Sequence, residues 1–181
     1  MRYIIPILFS CFVLAPFSDA ISAHLIEAEV VVYDDRFYKF IDANSQIEIL
    51  ATELGWAEGP VWIESINSLL FSDVAADKIY QRNEAKGLSV YLYPSGHAPD
   101  NSNQLWRGSN GLAIDENGSL LLAQQSNRTL SRMLAPISNP APVYDVFACQ
   151  YRGKLINSPN DLVVHQSGDI FFTDPPYGLA G

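Results

Sequence analysis

Hydrophobic and polar positions along this chain follow one phrase that occurs three times. It consists of a polar residue, an apolar run of four or five residues, a turn carrying Asn or Gly, a second apolar run and, usually, a closing acid. The copies are "EGPVWIESINSLLFSD" (Glu58–Asp73), "NGLAIDENGSLLLAQ" (Asn110–Gln124) and "NDLVVHQSGDIFFTD" (Asn160–Asp174). Their starts, at 58, 110 and 160, lie 52 and 50 residues apart. Further short runs sit between the copies: "KIYQR" (Lys78–Arg82), "LSVYLY" (Leu88–Tyr93), "TLSRML" (Thr129–Leu134) and "PVYDVF" (Pro142–Phe147). Runs of this length, bounded by turn residues and with little helical periodicity, predict strands. Four short strands per repeat of about fifty residues predict an all-β chain built of β-propeller blades. A β-sandwich of unrelated strands would not need the same kind of polar residue at the head of every second hairpin.

Propeller geometry explains the polar brackets. The first strand of each blade lines the central channel, and the second runs back to the face where the first began. Glu58, Asn110 and Asn160 are therefore expected to converge on one rim, with Asp73, Gln124 and Asp174 returning behind them. "PSGHAPDNSNQLWRGS" (Pro94–Ser109) joins two blades across that face and is too long for a tight turn. It carries His97 and Arg107, both able to hydrogen-bond a ligand. Two prolines stiffen "DPPYGL" after Asp174, which would hold Tyr177 over the rim.

A carboxylate and amide carbonyls from separate blades are all oxygen donors and suit a hard cation such as calcium. Zinc would need His or Cys, and His24, His97 and His165 share no ligand spacing. Glu58 lies between Trp56 and Trp62, where a buried, unpaired carboxylate would be costly, and this favours a ligand role. Asn110 in Asn-Gly is equally a satisfied turn residue. Asp73 reads as a hydrogen-bonded acid at a strand end.

Composition narrows the picture. The chain has 181 residues, 48% of them hydrophobic and 12% aromatic, enough for a packed core. A formal charge of -9 disfavours nucleic acid or anionic lipid as a partner and suits a cation or a neutral ligand. "MRYIIPILFSCFVLAPFSDAISA" has one Arg, an apolar stretch and small residues at its end, the pattern of a secretory signal peptide over 1–23. The expected location is secreted or periplasmic, with no membrane attachment after cleavage. Cleavage would remove Cys11 and leave Cys149, so no internal disulfide is expected.

The strings "WAEGPVW" with "NSLLFSD", "SNGLAIDENGSLLLA" with "SNRTLSR", and "KLINSPNDLVVHQSGDIFFTDPPYGL" together resemble the SMP-30/gluconolactonase family, and the last is similar to its bacterial gluconolactonase branch. The resemblance covers about Ile49 to the C-terminus. It implies a six-bladed propeller that binds a divalent cation, calcium first, in its channel and opens sugar lactones by hydrolysis. Residue by residue it implies Glu58 and Asn160 as metal ligands, with Asn160 also facing substrate, and Asn110 as pocket lining. Asp174, Tyr177 and His97 complete the expected substrate-binding set.

The family's remaining ligands, an asparagine of the fourth blade and an aspartate of the fifth that is also the proposed general base, are expected beyond Gly181. Asp161 does not replace them, because side chains alternate along a strand. The expected organisation is a signal peptide (1–23), an N-terminal spacer (24–45) and a partial propeller (46–181) of roughly two and a half blades. "QIEIL" (Gln46–Leu50) is its candidate ring-closing strand. The alternative is a non-catalytic binding module or inactive fragment that self-associates through open strand edges.

Overall fold

The computed structural model describes residues 24–26, 30–42, 44–96 and 108–176. In chain order the strands are β1 (His24–Ile26), β2 (Ile47–Ile49), β3 (Ala57–Ile63), β4 (Ser68–Asp73), β5 (Lys78–Asn83), β6 (Gly87–Leu92) and β7 (Ser109–Ile114). They continue with β8 (Leu120–Gln124), β9 (Thr129–Met133), β10 (Tyr144–Ala148), β11 (Gln150–Tyr151), β12 (Lys154–Leu155), β13 (Leu162–Val164) and β14 (Ile170–Phe172). Two four-stranded antiparallel meanders result, β3-β4-β5-β6 and β7-β8-β9-β10. The pair β13-β14 repeats the first half of that pattern. Each copy of the sequence phrase is thus the first hairpin of a sheet, and the runs between copies supply the outer strands.

The second sheet shows why its sequence reads as an unbroken apolar run. Leu120, Leu121, Leu122 and Ala123 are all fully buried, although side chains on a strand alternate between faces. Leu120 and Leu122 pack with Leu112 and Met133 against Leu70, Ile79 and Leu92 of the first sheet. Leu121, Ala123 and Leu130 pack on the opposite face with Leu162 of β13. A sheet covered on both sides needs no polar positions. On β13-β14 the alternation is visible: Leu162 is 7% exposed, whereas Val163 and Phe171 are each 60% exposed.

Two features depart from the sequence expectation. "QIEIL" does not close a ring among the described residues; its β2 pairs antiparallel with β1, His24 opposite Ile49. The start of the spacer is therefore tied to the segment just ahead of the first repeat. The spacer also holds one turn of 3-10 helix (Asp35–Lys39), capped by Asp34, whose carboxylate accepts from Arg36 N at 2.9 Å. The second feature is the small hairpin β11-β12, whose two-residue turn Arg152-Gly153 has positive φ at both positions, 50° and 76°. Such turns match strand twist, and only Gly153 signals this one in the sequence. Cys149 is free and half-buried.

A charged tie fixes the lower edge of the second sheet. Asp115 accepts from Asn117 N (2.9 Å), Ser119 N (2.8 Å) and Arg132 Nε (2.8 Å). Burial pushes its carboxyl up, but hydrogen bonds from Ser119, Arg132 and Asn117 and the charge of Arg132 outweigh that and hold it below its ordinary value of 3.8. A depressed carboxylate stabilises the fold above its unfolded pKa and loses that contribution as pH falls through the folded value. Asp115→Asn is therefore expected to lower stability at neutral pH and to lose less on acidification below about pH 4. Urea melts at several pH values check this.

Candidate functional site

Register brings the polar brackets to one edge of the sheets. Ala57 stands opposite Asp73, and Asp73 opposite Lys78. Ser109 stands opposite Gln124, and Gln124 opposite Thr129. The heads of β3 and β7, the ends of β4 and β8 and the turns that follow them share that edge. In both sheets the register skips close to the head, between Glu58 and Val61 and between Ser109 and Leu112. Bulges of this kind re-aim the side chains beside them. In the third copy Thr173 takes both partners, accepting from Asn160 N and donating to Asp161 O, each at 3.0 Å.

The three heads are in direct contact. A Cβ placed on Gly59 would lie 2.4 Å from Asn110 O and 2.8 Å from Gly111 Cα. One placed on Gly111 would lie 2.7 Å from Asp161 Cα and 2.9 Å from Asn160 O. Gly111 N also donates to Asn160 O at 2.7 Å. Glu58-Gly59, Asn110-Gly111 and Asn160-Asp161 hold the same position in their repeats, and each abuts the next. Glycine is needed where backbones approach this closely.

The side chains at these heads differ in how far the protein satisfies them. Glu58 is half-buried, and its Oε1 accepts from Trp56 Nε1 at 2.6 Å, which leaves Oε2 without a donor among the described residues. Trp62, its other aromatic neighbour in sequence, donates instead to Glu64 at 2.8 Å. Asn110 is 5% exposed and donates from Nδ2 to Gln125 Oε1 at 3.0 Å. The carboxamide of Asn160 makes no hydrogen bond among the described residues. One carboxylate and two amide oxygens thus stand ready on adjacent strands. That donor chemistry fits a hard divalent cation. Among the described residues no three His, Cys, Asp or Glu side chains gather closely enough to hold a metal, so any cation here depends on the amides.

The residues behind the heads are scaffold. Asp73 accepts from Gly55 N (2.9 Å) and Trp56 N (3.0 Å), as expected for an acid at a strand end. Gln124 donates to Ser95 O at 2.9 Å and accepts from Ser131 Oγ at 2.7 Å. Asp174, which the sequence placed among the substrate contacts, has both carboxylate oxygens on Asn157 N at 2.8 Å. It holds the chain leading into the third head. Arg128, which sequence reasoning missed, braces the same approach by donating from Nε to Ile156 O (2.6 Å) and Asn157 O (3.1 Å). Asp161 turns its carboxylate onto its own strand, where Oδ1 accepts from Leu162 N at 2.9 Å. His97, Arg107 and Tyr177 lie outside the described residues. His165 is exposed, with Nδ1 2.8 Å from Ser167 Oγ.

Antiparallel sheets packed face to face, with their first strands touching and polar heads at one edge, define a propeller-like all-β protein. The chain belongs to the SMP-30/gluconolactonase/LRE-like family, whose model matches residues 56–181. A gluconolactonase of Zymomonas mobilis is 37% identical over 153 residues, covering 83% of this chain and 42% of that relative. The solved structure of a gluconolactonase from Xanthomonas campestris superposes with a TM-score of 0.63 at 29% identity, over 75% of this chain and 40% of that one. A streptogramin B lyase structure superposes with a TM-score of 0.51 at 16% identity, over 74% and 39% of the two chains, a likeness of fold alone. The chain spans about two-fifths of the length of these relatives.

Proposed function

We propose that this chain supplies the first blades of a six-bladed lactonase channel, in which Glu58 and Asn160 hold a divalent cation, calcium foremost, and Asn110 lines the pocket for a sugar lactone. The contact between the three strand heads, through Gly59 and Gly111, carries this reading. Similarity to gluconolactonases supports the substrate class. The cation, when bound, supplies polarisation of the lactone carbonyl and acidification of a bound water. Glu58 contributes the negative charge, and the indole N–H of Trp56 fixes its orientation. Asn160 sits on a backbone held from both sides, by Thr173 and by Gly111. His97 and Tyr177 are assigned to the pocket. The general base is assigned to a carboxylate of the later blades, since Asp161 and Asp174 are engaged with backbone N–H groups.

The reading includes export to the periplasm or beyond, through a signal peptide over 1–23. It also includes self-association through exposed strand edges. Apolar side chains are exposed on both outer faces, Trp62 at 53% on the first sheet and Val163 and Phe171 at 60% on the last hairpin.

The test joins this chain to the part of the Zymomonas mobilis gluconolactonase outside the match and follows hydrolysis of glucono-1,5-lactone in a pH-stat. Activity above the 181-residue chain, lost with EDTA and restored by calcium, is expected. A soluble, folded chimera that leaves the lactone untouched contradicts the reading. Activity that survives EDTA contradicts its metal.

A further inference from the structure

The β8–β9 turn carries two amides, Gln125 and Asn127, that the lactonase reading does not use. Asn110 and Gln125, 5% and 6% exposed, form one hydrogen bond with each other, from Nδ2 to Oε1. This leaves one acceptor, Asn110 Oδ1, and one donor, Gln125 Nε2, with no partner among the described residues. Two residues further on, Asn127 Oδ1 is buried with no partner among the described residues. Of these three atoms only Asn127 Oδ1 is itself shielded from solvent, where an unpaired amide costs about 1–3 kcal/mol; Asn110 Oδ1 and Gln125 Nε2 remain open to solvent and so to a ligand. The turn itself is well anchored: Arg128 N donates to Gln125 O at 3.2 Å, and Arg128 Nε is tied to Ile156 O and Asn157 O, just ahead of the third copy. These amides are therefore held in place with open hydrogen-bonding capacity beside a strand head.

We propose that Gln125 is a specificity-determining residue of the lactone site, pairing with Asn110 to recognise a hydroxyl group of a polyhydroxylated lactone. A hydroxyl both donates and accepts, so it can give its proton to Asn110 Oδ1 and accept from Gln125 Nε2. The Asn110–Gln125 bond orders the two groups: with Gln125 Oε1 occupied by Asn110 Nδ2, the free pair is one carbonyl and one NH₂. A lactone ring without hydroxyls would leave both amides unpaired, and sites built on buried polar groups reject such analogues strongly. The inference rests on the lactonase reading and goes beyond it in naming what selects a sugar lactone over a simple one.

The test uses ¹⁵N-labelled full chain with calcium, titrated with glucono-1,5-lactone and with δ-valerolactone, which lacks hydroxyls. The expected result is that the gluconolactone shifts the Gln125 and Asn110 side-chain NH₂ signals and δ-valerolactone does not. Gln125→Met, similar in shape, and Gln125→Glu, which keeps the acceptor for Asn110 and loses the donor, should each weaken gluconolactone binding roughly 3- to 10-fold, as for one neutral hydrogen bond. Both should leave the Glu58 response to calcium unchanged. If gluconolactone shifts Glu58 and Asn160 but neither Gln125 nor Asn110, or if both variants bind it as wild type does, the role of Gln125 is overturned while the lactonase reading stands. If neither lactone shifts any signal while the chimera hydrolyses glucono-1,5-lactone, the inference fails alone; if the chimera also leaves the lactone untouched, the lactonase reading fails and takes this inference with it.

Discussion

Glu58→Gln is expected to weaken divalent-cation binding by about 100-fold or more, equivalent to about 2.7 kcal/mol. Of the three side chains assigned to the site, Glu58, Asn110 and Asn160, Glu58 is the one carboxylate, and calcium sites are tuned largely by the number of charged ligands. The substitution keeps shape and keeps an acceptor for Trp56 Nε1, which now donates to Oε1 at 2.6 Å. The fold should therefore survive, with a thermal midpoint close to that of the parent chain. Asn110→Ala removes a neutral group and should cost far less cation affinity. Calorimetry with calcium on the three proteins separates the cases: equal binding by Glu58→Gln and wild type would remove Glu58 from the site.

The second large effect concerns the glycines on which the heads rest. Gly59→Ala places a methyl group 2.4 Å from Asn110 O, on a backbone with φ of +54°. The left-handed conformation costs about 1–2 kcal/mol for a residue with a Cβ, and overpacking typically adds about 1–3 kcal/mol. A loss of about 2–5 kcal/mol is expected, enough to unfold a marginal domain. Gly111→Ala meets Asp161 Cα at 2.7 Å and Asn160 O at 2.9 Å, both backbone atoms that cannot swing aside. It should separate the second head from the third. Gly118→Ala is the control, since its φ is +77° and nothing lies within 4 Å of the added methyl. Urea denaturation should show Gly118→Ala losing only the conformational part. If Gly59→Ala were no worse than Gly118→Ala, the close contact of the heads would be wrong.

The sequence revealed the sheets because their cause is local. Alternation around Asn and Gly turns marks each first hairpin, and the uninterrupted run Leu120–Ala123 reflects a strand buried on both faces. The heads Glu58, Asn110 and Asn160 were legible through their repeated position. What the sequence did not show is which polar groups the protein satisfies by itself. Asp174 and Asn160 look alike as polar bracket residues, yet the Asp174 carboxylate is held on Asn157 N, whereas the Asn160 carboxamide makes no hydrogen bond among the described residues. Gln125 and Arg128 were missed for the same reason, since their roles arise from contacts across 15 residues to Asn110 and 28 residues to Ile156. The pairing of β1 with β2 was hidden because β1 is three residues long and lies in a segment without a repeat partner.

Whether Glu58, Asn110 and Asn160 surround one cation can be read from manganese titration of the ¹⁵N-labelled 181-residue chain, because paramagnetic broadening reports even weak binding and falls off steeply with distance. Signals of Glu58, Asn110 and Asn160 and their immediate neighbours should fade first and together, and excess calcium should restore them. Broadening that begins elsewhere, or that reaches Glu58 without Asn160, would contradict a shared cation site.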